Sequence, residues 1–130
     1  MGTGRVDVRR QDGVWVLSLL GEHDLTTQEA LRAELRNLMS TGVGVVVDLT
    51  QADFIDGTVI GALVAGHDEA GRNPGDRLAI VISGDGVFAD RVVSMAGVDR
   101  VIPTFVSRRT AITSLVRPPQ SRGVPTTGER

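Results

Sequence analysis

The chain has 130 residues, 14 arginines, no lysine, no cysteine and a formal net charge of −2 at pH 7. Without lysine and cysteine it cannot form a Walker-type phosphate-binding loop, a lysine Schiff base, a disulfide or a thiol nucleophile. The near balance of charge, with one tryptophan, three phenylalanines and no tyrosine, argues against direct nucleic-acid binding by bulk charge or base stacking.

The hydropathy pattern gives no reason to expect membrane insertion. The longest uninterrupted apolar run covers residues 59–66, which is far short of the ~18 residues that a membrane-spanning helix needs. The amino-terminal residues lack the apolar core of a signal peptide. The sequence therefore predicts a single-domain protein of the cytoplasm.

The first elements in chain order are a hairpin and a helix. Residues 6–10 and 14–20 have strand character on either side of an Asp-Gly turn signal, which predicts an antiparallel hairpin. A helix is predicted to begin at Thr26, because Thr26 and Glu29 have capping-box spacing. Gly42 is a plausible stop for this helix.

The middle and end of the domain alternate between strands and helices. Residues 43–49 are apolar on both parities, which predicts a strand buried on both faces. Asp56 and Ser107 are predicted to be the N-caps of two of the helices. The predicted strands here are 43–49, 77–82 and 101–102, and the predicted helices are 58–69, 87–96 and 108–116.

The predicted order is therefore β-β-α-β-α-β-α-β-α, an α/β fold whose mixed sheet has mostly parallel later strands. We expect the domain to cover residues 1–116. Residues 117–130 contain three prolines and one large apolar residue, so we predict a disordered tail. Functional loops of open α/β sheets lie beyond the carboxyl ends of strands, which here means residues 21–24, 50–57 and 83–86.

Two of these loops carry recognisable motifs. Residues 21–25 have the sequence Gly-Glu-His-Asp-Leu, and Val-Asp-Leu-Thr at 47–50 is followed by Phe-Ile-Asp-Gly-Thr-Val-Ile-Gly at 54–61. In this order and spacing, and with Ala-Gly-Val-Asp-Arg-Val-Ile-Pro at 96–103, the chain resembles the bacterial anti-sigma factor antagonists, small single-domain proteins of the STAS superfamily. The resemblance covers about residues 5–116 and implies a STAS-like mixed β-sheet with an N-terminal hairpin and four α-helices.

The resemblance also implies a function, which is partner switching. Antagonists of this family bind an anti-sigma factor, often a serine/threonine kinase with a GHKL-type ATP-binding fold, and so release a sigma factor. The kinase then phosphorylates the serine that follows the motif aspartate. This chain has Gly57 at that position and a hydroxyl at the next residue, so Thr58 is the candidate phosphoacceptor. The alternatives are an antagonist that cannot be switched off and one that serves a different partner.

The predicted partner-binding surface is the start of the second helix with the neighbouring loops at its edges. Its acidic residues would select a basic partner surface, and Ile60 with the exposed part of Val59 would provide apolar anchoring. No arginine lies between Asn37 and Gly71, so we expect this surface to be locally acidic. Its residues are Glu22, Asp24, Asp53, Asp56, Gly57, Thr58, Val59, Ile60, Gly61 and Ser83.

We predict no catalytic residue, no metal and no cofactor. His23 and His67 lack the further ligands of a tight metal site. Asp48 ends a strand like the phosphoacceptor of receiver domains, but the lysine that those domains need is missing. Two other functions stay open, namely a structural STAS subunit of a stress-signalling or lipid-transport assembly, and a domain that binds a small ligand or nucleotide. The sequence leaves the oligomeric state open between a monomer and a weak dimer.

Overall fold

The fold was analysed in a computed structural model, which describes residues 4–70, 77–86 and 88–116. The predicted tail at 117–130 lies outside these ranges. The strands are β1 (Arg5–Gln11), β2 (Val14–His23), β3 (Val45–Asp48), β4 (Ala52–Ile55), β5 (Leu78–Val81) and β6 (Thr104–Phe105). The helices are α1 (Leu25–Met39), α2 (Gly57–Ala70), α3 (Phe88–Met95) and α4 (Arg108–Leu115), with a 3-10 helix at Val98–Arg100.

The strands form one mixed sheet in the order β1-β2-β3-β5-β6, with β4 paired to the end of β2. β1 and β2 form the predicted antiparallel hairpin, while β2, β3, β5 and β6 run parallel to one another. β4 is parallel to β2. The predicted mixed α/β architecture with an N-terminal hairpin and four helices is therefore confirmed.

Helices cover both faces of the sheet. Successive strand residues point to opposite faces, so Leu17 and Leu19 pack with α1, α2 and α3 on one side, and Val14 and Val16 pack with α4 on the other. This double burial explains why every residue of β3 and β5 is buried. The hydrophobic core is thus split into two layers by the central strands.

The first helix is capped two residues earlier than predicted, by Asp24 and not by Thr26. Asp24 is the N-cap, and its Oδ1 accepts hydrogen bonds from the Thr26 amide at 2.9 Å and the Thr26 hydroxyl at 2.6 Å. The predicted capping box of Thr26 and Glu29 is therefore wrong. An aspartate two residues before the threonine takes both donors, which moves the start of the helix to Leu25.

The last strand was also misplaced by the sequence pattern. Residues 101–102 have strand-forming side chains, but Ile102 donates its amide to the Val98 carbonyl at 2.8 Å and continues a helical turn. Pairing with β5 begins only at Pro103, whose carbonyl accepts from the Ile80 amide. The strand is therefore Thr104–Phe105. Ile102 instead contributes a fully buried side chain to the core.

A short strand, β4, occupies a segment that was expected to be a loop. Its two end residues, Ala52 and Ile55, are both buried, so its burial does not alternate as in a half-buried strand. It forms because β2 runs on to His23, past a register shift next to Gly21, and offers an additional edge for pairing. This pairing carries the chain from β3 to the start of α2.

Candidate functional site

The carboxyl ends of the parallel strands place the predicted loops along one edge of the sheet. The loop after β2 leads to α1, β4 leads directly to α2, and the loop after β5 leads to α3. Loops at this edge are the usual binding region of open α/β sheets. The structure thus brings the start of α2 and the loops before α1 and α3 to one side of the molecule.

Asp56 organises the beginning of α2. Its Oδ1 accepts hydrogen bonds from the Thr58 amide at 3.0 Å and the Thr58 hydroxyl at 2.6 Å, and more weakly from the Val59 amide at 3.4 Å. This is the side-chain cap expected of an aspartate before a helix. The cap holds the Thr58 hydroxyl as a donor to a carboxylate, and both side chains are half-buried.

The apolar residues at the start of α2 face the core. Val59 is 0% exposed and Ile60 is 8% exposed, so the expectation that the exposed part of Val59 anchors a partner is wrong. Because α2 already begins at Gly57, its 3.6-residue period turns Val59 and Leu63 towards the sheet. Ile60 likewise has almost no surface to offer a partner.

The outer side of the same helix start carries glycines. Gly57 and Gly61 are exposed, and a Cβ atom added at either position would have no neighbouring atom within 4 Å. Neither glycine is therefore required by packing, and neither has the positive φ that favours glycine. The position that carries the serine in the family motif is structurally open to a side chain.

The end of β2 and the residue after it present acidic side chains around a buried histidine. Glu22 is exposed, and hydrogen bonds from Thr26 hold the pKa of Asp24 below its ordinary value. His23 is fully buried, with Nε2 3.1 Å from the Leu20 carbonyl oxygen and Nδ1 3.2 Å from the Thr27 hydroxyl oxygen. His23 thus ties β2 to α1, a role that no sequence signal indicated.

The exposed charge near the α2 start is negative. Asp53 on β4 and Glu22 on β2 are exposed, and Asp56 is half-buried. Arg36 and Arg72 flank a segment of the chain without a permanent cation, to which Asp53 and Asp56 belong. Glu22 lies outside that segment, and the exposed Arg5 of β1, which pairs with Leu20, lies next to it at the same edge.

The loop after β5 is held by a residue that sequence reasoning missed. Asp90, in the first turn of α3, is buried and accepts hydrogen bonds from the amides of Ser83 at 3.0 Å, Gly84 at 2.6 Å and Gly86 at 3.2 Å. Ser83 itself is half-buried at the margin of the edge. An aspartate in the first helical turn after a glycine-rich loop was the available signal.

Asp48, at the end of β3, is occupied by a different network. Its Oδ2 accepts from Arg108 Nε at 3.0 Å and Nη2 at 2.7 Å, and its Oδ1 accepts from the Thr50 amide and hydroxyl. The arginine lies at the start of α4, on the other face of the sheet from α2. Asp48 is therefore a buried anchor of α4 and does not belong to the acidic edge.

Neither a metal nor a membrane helix is indicated within the described ranges. Residues 4–70, 77–86 and 88–116 contain no group of three or more histidine, aspartate or glutamate side chains placed to hold a metal ion. Over the same part of the chain, no helix combines the length and the apolar character needed to cross a bilayer.

A family model described as "Mlab, STAS domain" matches residues 6–106, which include the sheet except Arg5 and the first three helices. The chain belongs to the STAS-domain family. No curated protein matches this STAS domain.

Solved structures of anti-sigma factor antagonists share the fold of this STAS domain. A Mycobacterium paratuberculosis antagonist has a TM-score of 0.76 and 24% identity, over 87% of this chain and 94% of that one. A STAS-domain antagonist from Planctomyces limnophilus has a TM-score of 0.70 and 19% identity, over 85% of this chain and 97% of that one. The Bacillus cell fate determinant SpoIIAA in the phosphorylated form has a TM-score of 0.63 and 16% identity, over 86% of this chain and 100% of that one. These TM-scores establish a common fold at low sequence identity.

Proposed function

We propose that this STAS domain is an anti-sigma factor antagonist, which binds an anti-sigma factor and thereby releases a sigma factor by partner switching. The observation that carries the proposal is the acidic, capped start of α2 at the carboxyl edge of the sheet, in a fold shared with proteins named as antagonists. The expected partner is a GHKL-type serine/threonine kinase with a basic contact surface. Binding, with no chemistry on the antagonist's own side chains beyond phosphorylation, is the proposed activity.

The partner contacts in this proposal come from the polar side chains and open backbone of the edge. Glu22, Asp53 and Asp56 supply negative charge, and the open surface over Gly57 and Gly61 allows close approach of a partner. Asp24 and Ser83 act at the margins, each with hydrogen bonds that fix its own loop. Thr58 is half-buried, with its hydroxyl bonded to Asp56, and Val59 and Ile60 support the helix from within.

Binding to each anti-sigma factor encoded by the same genome tests the proposal by isothermal titration calorimetry. Reversing one exposed charge, Asp53→Arg, should weaken binding by about tenfold or more and should lower the salt sensitivity of binding, because rim charges steer association and set its salt dependence. Asp99→Arg is the matched control. Asp99 is exposed like Asp53, but it lies in the 3-10 helix before β6, at the opposite edge of the sheet. Failure of the wild-type chain to bind any of these factors would contradict the proposal.

Regulation is proposed to act through Thr58. Phosphorylation would replace the hydrogen bond from its hydroxyl to Asp56 with a group of about −1.5 to −2 charge beside that carboxylate. Like-charge repulsion at the helix start would then release the partner. Mass spectrometry of peptide 50–72 after incubation with kinase and ATP should show phosphate in the wild type and none in Thr58→Ala. Phosphate that persists in Thr58→Ala would contradict this assignment.

Gly57→Ser provides a second arm of that experiment. The surface over Gly57 is open, so the Gly57→Ser variant should fold without strain. The serine would restore a hydroxyl at the position of the family's phosphoacceptor. Phosphorylation of Gly57→Ser together with an unmodified wild type would identify the wild-type chain as an antagonist that its kinase cannot switch off. Thr58→Glu should weaken partner binding only if Thr58 is the switch.

A second candidate is a structural STAS subunit of a larger assembly. The description of the family model, which names Mlab, and the glycine at position 57 favour it, because an assembly subunit needs no phosphoacceptor. Size-exclusion chromatography of the tagged chain from its own cells, with and without ATP, separates the two functions. A large complex that survives ATP would favour the subunit, and an ATP-sensitive complex would favour partner switching.

A further inference from the structure

Val106 is an exposed apolar residue at the carboxyl edge of the sheet. It directly follows β6 and is 67% exposed, although it lies next to buried elements. Because β6 runs parallel to β5, a residue after β6 lies at the same edge as the loop after β5. Val106 therefore shares this edge with the proposed partner-binding residues.

The loop Ser83–Gly86 packs against this valine. An added Cβ atom at Gly84 would come within 2.8 Å of Val106 Cγ1, so only glycine fits between the loop and the valine. Gly84 also has a φ of +84°, a conformation that L-residues avoid. The loop and Val106 thus form one continuous surface, to which the loop contributes backbone and Val106 contributes a side chain.

Three hydrogen bonds fix the loop in this place. The buried Asp90 carboxylate accepts from the amides of Ser83, Gly84 and Gly86, at distances between 2.6 and 3.2 Å. Hydrogen bonds to a charged acceptor are stronger than neutral ones. A surface that is already ordered loses little conformational entropy on binding, which favours affinity.

The apolar surface lies within reach of a partner seated on the acidic edge. Neighbouring strands are about 4.8 Å apart, and three steps in the sheet order lead from β2 through β3 and β5 to β6. The axes of β2 and β6 are thus about 14 Å apart. A typical interface of about 800 Å² per partner is roughly twice as wide as this separation.

We infer that Val106, supported by the loop Ser83–Gly86 that Asp90 holds, is an apolar contact of the partner-binding surface. The inference rests on the proposed function and gives the interface the apolar contact that the buried Val59 and Ile60 cannot supply. The partner is the same anti-sigma factor, which should place an apolar side chain or shallow pocket against Val106 and basic groups against the acidic edge.

Two valine variants test the inference in the full chain. Val106→Asp should weaken binding to the anti-sigma factor by about tenfold or more, as expected for the loss of a central apolar contact. Val101→Asp is the control, because Val101 is 51% exposed and precedes β6, at the opposite edge of the sheet. Its affinity should stay within about twofold of the wild type, and thermal unfolding of both variants should show that the domain is folded.

Asp90→Asn separates positioning from general stability. The side-chain NH2 group of the asparagine would face backbone N–H groups, and two donors cannot form a hydrogen bond. Hydrogen exchange of the Gly84 and Gly86 backbone amides should therefore accelerate, and binding to the anti-sigma factor should weaken. If Asp90 acts by positioning the Val106 surface, adding Asp90→Asn to Val106→Asp should cause no further loss of affinity, whereas a purely structural effect would add to it. Additive losses in the double variant would overturn the role of Asp90.

The outcomes distinguish this inference from the proposed function. Wild-type binding that Asp53→Arg weakens and Val106→Asp leaves unchanged would overturn the apolar surface and preserve the proposed function. If Val106→Asp and Val101→Asp weakened partner binding equally, the inference would also be overturned, because the loss would not depend on which edge of the sheet carries the substitution. Absence of any wild-type binding would overturn both.

Discussion

The ion pair between Asp48 and Arg108 allows the sharpest prediction about the stability of this domain. The Asp48 side chain is 5% exposed, while that of Arg108 is 37% exposed and reaches it with two donors. Arg108→Ala removes both donors from Oδ2 and leaves a buried carboxylate held only by Thr50. It also releases the weaker contacts of Arg108 to Gln11 and Ser18, each at 3.4 Å.

The expected loss follows from the burial of the two partners. Breaking a fully buried pair costs about 3–5 kcal/mol, because one charge is left without its counterion. Exposed pairs contribute at most about 1 kcal/mol. Since Arg108 is partly solvated and water can enter the space that it vacates, we expect Arg108→Ala to lower the free energy of unfolding by about 2 kcal/mol.

Urea unfolding followed by the fluorescence of Trp15, the single tryptophan, measures this loss. Arg109→Ala is the matched control, since Arg109 is exposed on the same helix, and its effect should stay within about 0.5 kcal/mol. Arg108→Lys should give an intermediate loss, because an ammonium group keeps the charge and lacks the planar fork. Equal losses for Arg108→Ala and Arg109→Ala would refute the assigned role of the ion pair.

Three further predictions concern backbone conformation and pH. Gly84→Ala should destabilise the domain by more than Gly86→Ala in thermal unfolding, because both have positive φ but only Gly84 faces Val106; equal losses would remove the steric part of this explanation. Gly57→Ala should change the free energy of unfolding by less than about 0.5 kcal/mol, since the position is open; a larger loss in urea unfolding would show that glycine is needed there. NMR titration should place the Asp24 pKa below its ordinary value, so its stabilising effect is complete above the unfolded-state pKa and is lost as the pH falls through the lower, folded-state pKa; Asp24→Asn should remove this pH dependence, and an unshifted titration would contradict the capping geometry.

Local sequence signals were sufficient for most elements, because their causes lie within a few residues. The spacing of Leu31, Leu35 and Leu38 predicts the buried stripe of α1, and all three are buried. The caps at Asp56 and Ser107 depend on a side chain and amides two or three residues away, and both are present. The cap of α1 was predicted at Thr26 and lies at Asp24, because that aspartate accepts from both the amide and the hydroxyl of Thr26.

Contacts between distant parts of the chain were decided only by the tertiary structure. Arg108 meets Asp48 across 60 positions, and Val106 meets Gly84 because β6 pairs with β5, which no local spacing encodes. The same holds for the burial of Val59 and Ile60, which depends on where α2 begins and which side the sheet covers. The absence of lysine and the arginine-free segment around Asp56 were visible in the sequence. That this segment lies on the same edge as Val106 and the ordered loop beneath it follows only from the pairing of the strands.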